Sequence, residues 1–177
     1  RHFVREYGAS QFSLSVSVLA GSGTAMERDY EFSTARHRQD LTAADAIGQE
    51  AARRALARLN PRKVKTCSVP VVFDPRVSKQ LLSIFAGAVS GSAVARGSTF
   101  LKSSLGKEVF ASNISIIDDP HMKRGLASKP VDAEGVANRK MAIVERGVLK
   151  SWFLDVRTAN KLKLATTGHA MRGIASA

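Results

Sequence analysis

Cysteine, aromatic side chains, acidic groups and long apolar runs are all scarce in this chain. Cys67 is the single cysteine among 177 residues, so no disulfide forms within it. A chain held by packing and not by bridges fits a reducing compartment, and a cytoplasmic location is expected. The thiol, in Thr66-Cys67-Ser68-Val69, reads as a small buried hydrophobe at the start of a strand, not as a nucleophile. No apolar stretch approaches the roughly 20 residues that a membrane-crossing helix needs, which excludes that class. Arg1 to Glu6 show no apolar run ahead of a small-residue cleavage site, so no signal peptide is read. The first residue is Arg1, not an initiator Met, which points to a segment of a longer chain.

The shortage of acids leaves a strong imbalance: 27 Lys and Arg against 15 Asp and Glu, a net charge of +12. Such a charge invites nucleic acid or other anionic partners. Yet the basic residues are spread along the chain. The densest stretch, Arg53, Arg54, Arg58, Arg62, Lys63 and Lys65, decorates one predicted helix and its exit. Aromatics are only 6% of residues, and none interleave with the basic ones to stack bases. The charge is therefore read as a solvated face or a surface docking an acidic partner, and nucleic acid is disfavoured.

What is present is ordinary for a globular protein, with 44% hydrophobic and 24% charged residues. Residues 11–19 alternate apolar and Ser, the period of a half-buried strand, and residues 26–33 read as its return after the Gly21-Ser22-Gly23-Thr24 turn. Thr42, with Asp45 three residues on, reads as the N-cap of a helix whose apolar stripe is Ile47, Ala51, Ala55, Leu56 and Leu59, stopped by Pro61. Pro70 to Phe73 reads as a short buried strand. Asp74-Pro75 then opens a helix bearing Val77, Leu81, Leu82, Phe85 and Ala86, which dissolves in the small residues 87–92. Strands follow at 108–111, 114–117, 140–145 and 148–154, the last two joined by Arg146-Gly147, and a short helix spans 158–162. The order of elements predicts an α+β fold: a strand hairpin plus helix over residues 1–66, the end of one domain, then the start of a strand-rich, mostly antiparallel domain with one leading helix over 67–177.

Chemistry is sparse. His2, His37, His121 and His169 are scattered, with no pair at the spacing that puts two imidazoles on one helical face, so no metal site is read. His121, after Asp118-Asp119-Pro120, reads as a turn whose Asp caps its own backbone. Ser90 lies outside any nucleophile-elbow spacing, and the glycines at 87, 91 and 97 match no phosphate-binding loop. Asp132 and Glu134 would share a side of an extended segment and so a cleft, or else receive backbone N–H groups in a loop. Thr166 to Gly173 gathers hydroxyls, His169 and Arg172 between two glycines, a ligand-contacting kind of loop.

Several segments, in order and at compatible spacing, are more specific than any of these. They are Met26-Glu27-Arg28-Asp29-Tyr30, Leu59-Asn60-Pro61-Arg62-Lys63, Ser98-Thr99-Phe100-Leu101, Ser104-Leu105-Gly106-Lys107, Lys123-Arg124-Gly125-Leu126-Ala127-Ser128, Glu134-Gly135-Val136 and Thr167-Gly168-His169-Ala170. Together they resemble the TldD/PmbA peptidase family, also labelled modulator of DNA gyrase, on its PmbA/TldE-like side. The resemblance implies a zinc peptidase of two related subunits acting on unfolded peptide, with His-Glu-X-X-X-His and the zinc on the TldD-like partner. It places those three positions here at Ser83, Ile84 and Ala88, which offer no metal ligand and no base. This chain would then need no cofactor and would shape a cavity. Candidate cavity residues are Gly91, Ser92, Asp132, Glu134, Thr167, Gly168, His169 and Arg172. The alternatives are a basic regulator touching DNA or a topoisomerase, and a chain that pairs with itself as a peptide-binding module.

Overall fold

The computed structural model describes residues 4–171, and the fold is α+β. Glu6–Pro70 form one compact unit, and the chain from Val71 onward belongs to a second.

In the first unit the Ser-alternating segment forms β1, Phe12–Ala20, antiparallel to β2, Glu27–Ala35. Val16 stands opposite Glu31 and Val18 opposite Asp29. Directly opposed residues share a face, so the apolar row of β1 and an acidic row of β2 look the same way. Helix α1, Ala44–Ala57, buries Ile47, Ala51 and Ala55. Its arginines meet the acidic row: Arg54 pairs with Glu31 and, at 2.7 Å, with Glu50, and Arg58 reaches Asp29 at 3.4 Å. Arg54, 18% exposed, is thus spent inside its own unit, while Arg58 pairs there and still faces solvent. The Thr42 cap does not form. Ala43 occupies the N-cap position, and the Thr42 amide donates to Ser33 Oγ on β2 at 3.0 Å.

Residues 61–73 carry no regular secondary structure. The strand expected at 70–73 is absent because no described strand pairs with it, and Val71 and Val72 are 67% and 96% exposed. Cys67 is exposed as well, not buried, since it too lacks a sheet to enter.

In the second unit Asp74 accepts the Arg76 N–H at 2.8 Å with Pro75 in the first turn, and α2 runs Pro75–Ala88. The small-residue run does not simply end it: Ser90 caps a further turn, α3, Gly91–Arg96. Strands β3, Ile116–Asp118, β4, Met141–Glu145, and β5, Val148–Leu149, form an antiparallel sheet in that order. Arg146 and Gly147 turn β4 into β5 with φ of 46° and 82°, the left-handed pair that matches strand twist. The strand expected over 108–111 reduces to a single bridge between Glu108 and Val148. The one expected over 148–154 stops at Leu149 because the chain leaves the sheet: the Phe153 N–H bonds to Val89 O at 3.0 Å and Phe153 O accepts from Gly91 N at 2.7 Å. Helix α4, Val156–Leu162, follows, with Asp155 and Thr158 as a reciprocal capping box. Phe85, Val89, Ile143, Val144, Leu149, Trp152 and Leu154 are the heart of one apolar core.

Candidate functional site

Because Phe153 is laced to the α2–α3 junction, the end of α2, the tip of β3 and the residues after β5 are brought together. A cleft of about 580 Å³ opens there. Ala86 and Gly87 form part of its wall from α2, and Ser90, Gly91 and Ser92 from the α3 cap. Gly91 has no room to change: a Cβ would lie 2.5 Å from Thr158 Oγ1 and 2.8 Å from Phe153 O. Gly87 is the opposite case, with nothing within 4 Å of an added Cβ. One glycine is required for packing, and the other faces open space.

Charged groups meet in the same cleft. Asp155 Oδ1 accepts from the Thr158 hydroxyl at 2.5 Å and the Thr158 N–H at 2.6 Å, and these bonds hold its carboxyl below the ordinary range. His169 is gripped from both nitrogens. Its Nε2 lies 3.1 Å from Asp118 Oδ2 and its Nδ1 2.9 Å from Thr167 Oγ1, while the ring rests on Phe153 at 4.6 Å between centroids. Lys129 also lines the cleft, half-buried, and its ammonium meets no acid among the described residues.

The expected site residues that the structure describes divide into three groups. Gly91, Ser92, Gly168 and His169 line the cleft. Thr167 lies behind it, buried, its Oγ1 accepting the Leu154 N–H at 2.7 Å. Asp132 and Glu134 do not line it. Their segment is a tight turn closed by a bridge between Val131 and Ala137, and it is not extended. The buried Asp132 accepts from the backbone of Glu134, Val136 and Ala170 at 2.9, 2.9 and 3.0 Å, and Glu134 accepts the Val156 N–H at 2.8 Å. Arg172 lies outside the described residues.

Ser83 and Ile84 are on the exposed face of α2, with Ser83 Oγ donating to Lys79 O at 3.3 Å, and Ala88 packs against the core. A hydroxyl already bonded to its own helix, a branched alkyl group and a methyl do not fit a zinc ion. Among the described residues, no three His, Cys, Asp or Glu side chains converge to hold a metal. No described helix is long and apolar enough to cross a membrane. The Asp119 carboxylate accepts the His121 N–H at 3.1 Å and pairs with Lys140 at 2.9 Å; the Lys140 bond, then the His121 one, holds it below the usual carboxylate range.

Residues 66–177 match the PmbA/TldA metallopeptidase C-terminal domain, and residues 3–59 match the central domain of the same proteins. The chain belongs to the PmbA/TldD metallopeptidase family. It is 42% identical over 164 residues to the Metalloprotease PmbA of Escherichia coli O157:H7, a match that covers 93% of this chain and 36% of that protein. To the Metalloprotease TldD homolog of Buchnera aphidicola it is 29% identical, covering 92% and 35% of the two chains. A Bacteroides thetaiotaomicron structure, described as a modulator of DNA gyrase, superposes with a TM-score of 0.84 at 30% identity, over 90% of this chain and 36% of that one. TldE from Thermococcus kodakarensis shares the fold, with a TM-score of 0.76 at 22% identity, over 94% and 38%. The chain spans about a third of the length of these PmbA/TldD relatives.

Asp118, Lys129, Phe153, Asp155 and Thr158 line the cleft but are not among the expected site residues. Asp155-Val156-Arg157-Thr158 carries a readable cap signal. Asp118 has none, because its partner His169 is 51 positions away.

Proposed function

We propose that this chain is the substrate-holding part of a non-catalytic, PmbA/TldE-like cytoplasmic subunit. Peptide hydrolysis belongs to a TldD-like partner that carries the zinc. The observation that carries this reading is the wall of the cleft. Ala86, Gly87 and Gly91 line it, and none bears a side-chain donor atom. Ser83, Ile84 and Ala88, the positions that the family resemblance sets against His-Glu-X-X-X-His, lie outside the cleft and supply no zinc ligand and no base. A wall without donor atoms, open at Gly87, suits a chain that holds peptide.

The edge of the sheet supports the mode of holding. β3 is an outer strand, and its last residue, Asp118, reaches into the cleft. An unfolded peptide adds to such an edge through its backbone, which reads extension and not sequence.

The test uses the full-length protein, a TldD-like partner, zinc and an unfolded peptide. Cleavage is expected only from the pair. Gly87→Trp, which fills the open wall, is expected to lower cleavage by roughly tenfold, the scale set by losing about 1.4 kcal/mol of binding, while subunit assembly is unchanged. Cleavage by this chain's protein alone would end the non-catalytic reading.

A further inference from the structure

The contacts of His169 go beyond holding a loop. Its Nε2 meets one oxygen of Asp118, Oδ2, at 3.1 Å, and the other oxygen, Oδ1, meets no partner among the described residues. Asp118 is one-third exposed, at the end of the edge strand and in the cleft wall. A carboxylate with one oxygen fixed and one open is an oriented acceptor.

Thr167 makes this arrangement tolerant of a proton. Its Oγ1 accepts the Leu154 N–H at 2.7 Å and lies 2.9 Å from His169 Nδ1, 3.2 Å from Trp152 O and 3.3 Å from Leu154 O. With a neutral imidazole the hydroxyl proton points to Nδ1, and Nε2–H donates to Asp118. With an imidazolium, Nδ1–H donates to the hydroxyl, whose proton turns to either carbonyl. Heavy atoms need not move. The titratable groups lining the cleft are Asp118, Asp155, Lys129 and His169. With His169 neutral the two carboxylates outweigh the one ammonium; with His169 protonated the charges balance.

We infer that Asp118 is the ligand-binding carboxylate of the cleft, that His169 is its positioning residue, and that together they receive a cationic group of a bound peptide. The group is an α-ammonium or a Lys or Arg side chain. This rests on the peptide-holding reading above and adds a preference to it. Lys129 opposes a cation only weakly, since its flexible stem lets the ammonium swing to solvent.

Full-length protein and three matched unfolded peptides test this at low salt by anisotropy: one with a free N-terminus and no Lys or Arg, one N-acetylated with a single Lys, and one N-acetylated with Gln in its place. A cationic peptide is expected to bind on the order of tenfold tighter than the neutral one at pH 7.5, as a charge-assisted hydrogen bond provides. The first two peptides tell an α-ammonium from a side chain. Asp118→Asn removes the advantage. His169→Gln, which keeps an N–H donor for Asp118, is expected to retain the advantage, whereas His169→Leu, which has none, loses it with binding of the neutral peptide unchanged, a split a merely structural role would not produce. Equal binding of all three peptides by the wild-type protein, or a preference surviving in Asp118→Asn, overturns the proposal and leaves the peptide-holding reading standing. No binding of any peptide overturns both.

Discussion

The two units of this chain solve the same problem with different physics. In Glu6–Pro70 a two-stranded hairpin turns a row of acids toward the helix that covers it, and Arg54 and Arg58 answer them. From Val71 onward the fully buried side chains Ile143, Val144 and Leu149 are apolar, and the buried polar ones Asp132 and Thr167 bond to backbone instead of to charged partners. Residues 71–177 carry 16 Lys and Arg against 8 Asp and Glu, and residues 6–70 carry 9 against 7. The excess of positive charge therefore belongs to the second unit, although the densest basic stretch is in the first. Local density of charge misleads when its partners lie on a neighbouring element.

If the comparison holds, the largest effect comes from Ile143→Ala, which empties a site with no exposure. It is expected to destabilise the second unit by about 2–5 kcal/mol in denaturant unfolding, with amide exchange in the first unit unchanged. Next is the glycine pair. Gly91→Ala forces a methyl against Thr158 and Phe153 and is expected to cost about 1–3 kcal/mol. Gly87→Ala, with open space and a helical position, is expected to stabilise by about 0.5–1 kcal/mol. Equal effects at the two sites would refute the assignment of one to packing and one to the cleft wall.

Arg54→Met probes the charged interface. Arg54 is 18% exposed, and its loss takes the ion pair from Glu31 and leaves Glu50 with Arg53, so a destabilisation of about 1–2 kcal/mol is expected in the first unit. Raising salt should weaken the wild-type first unit towards the variant, and should leave the second unit little changed. The smallest effect is the pH response of the α4 cap. The Asp155 carboxyl is depressed in the folded chain, so its contribution is present above the ordinary carboxylate value and is lost as pH falls through its folded one. Protection of the α4 amides should fall below about pH 4, and Asp155→Ala should remove about 1 kcal/mol and that pH response together.

Much of the framework was legible because its signals are short-range. The Ser alternation of β1, the Asp74-Pro75 start of α2 and the Arg146-Gly147 hairpin each act within a few residues. Thr42 failed as a cap because Ser33, nine positions back, took its amide. The segment 70–73 has strand composition but no described strand to pair with, and composition cannot supply a partner. In the cleft, Gly91, Ser92, Gly168 and His169 were anticipated, whereas Asp118 and Lys129 were not.

By itself, the order of residues determined the strand alternation, the Asp74-Pro75 start of α2, the α+β class and membership in the PmbA/TldD family, since these depend on neighbours along the chain or on matched segments. Only the tertiary structure decided that Asp132 and Glu134 tie backbone together, that Gly87 faces space while Gly91 has none, and that His169 holds Asp118. Those outcomes depend on which distant atoms fill the surrounding volume, and spacing along a chain does not encode that.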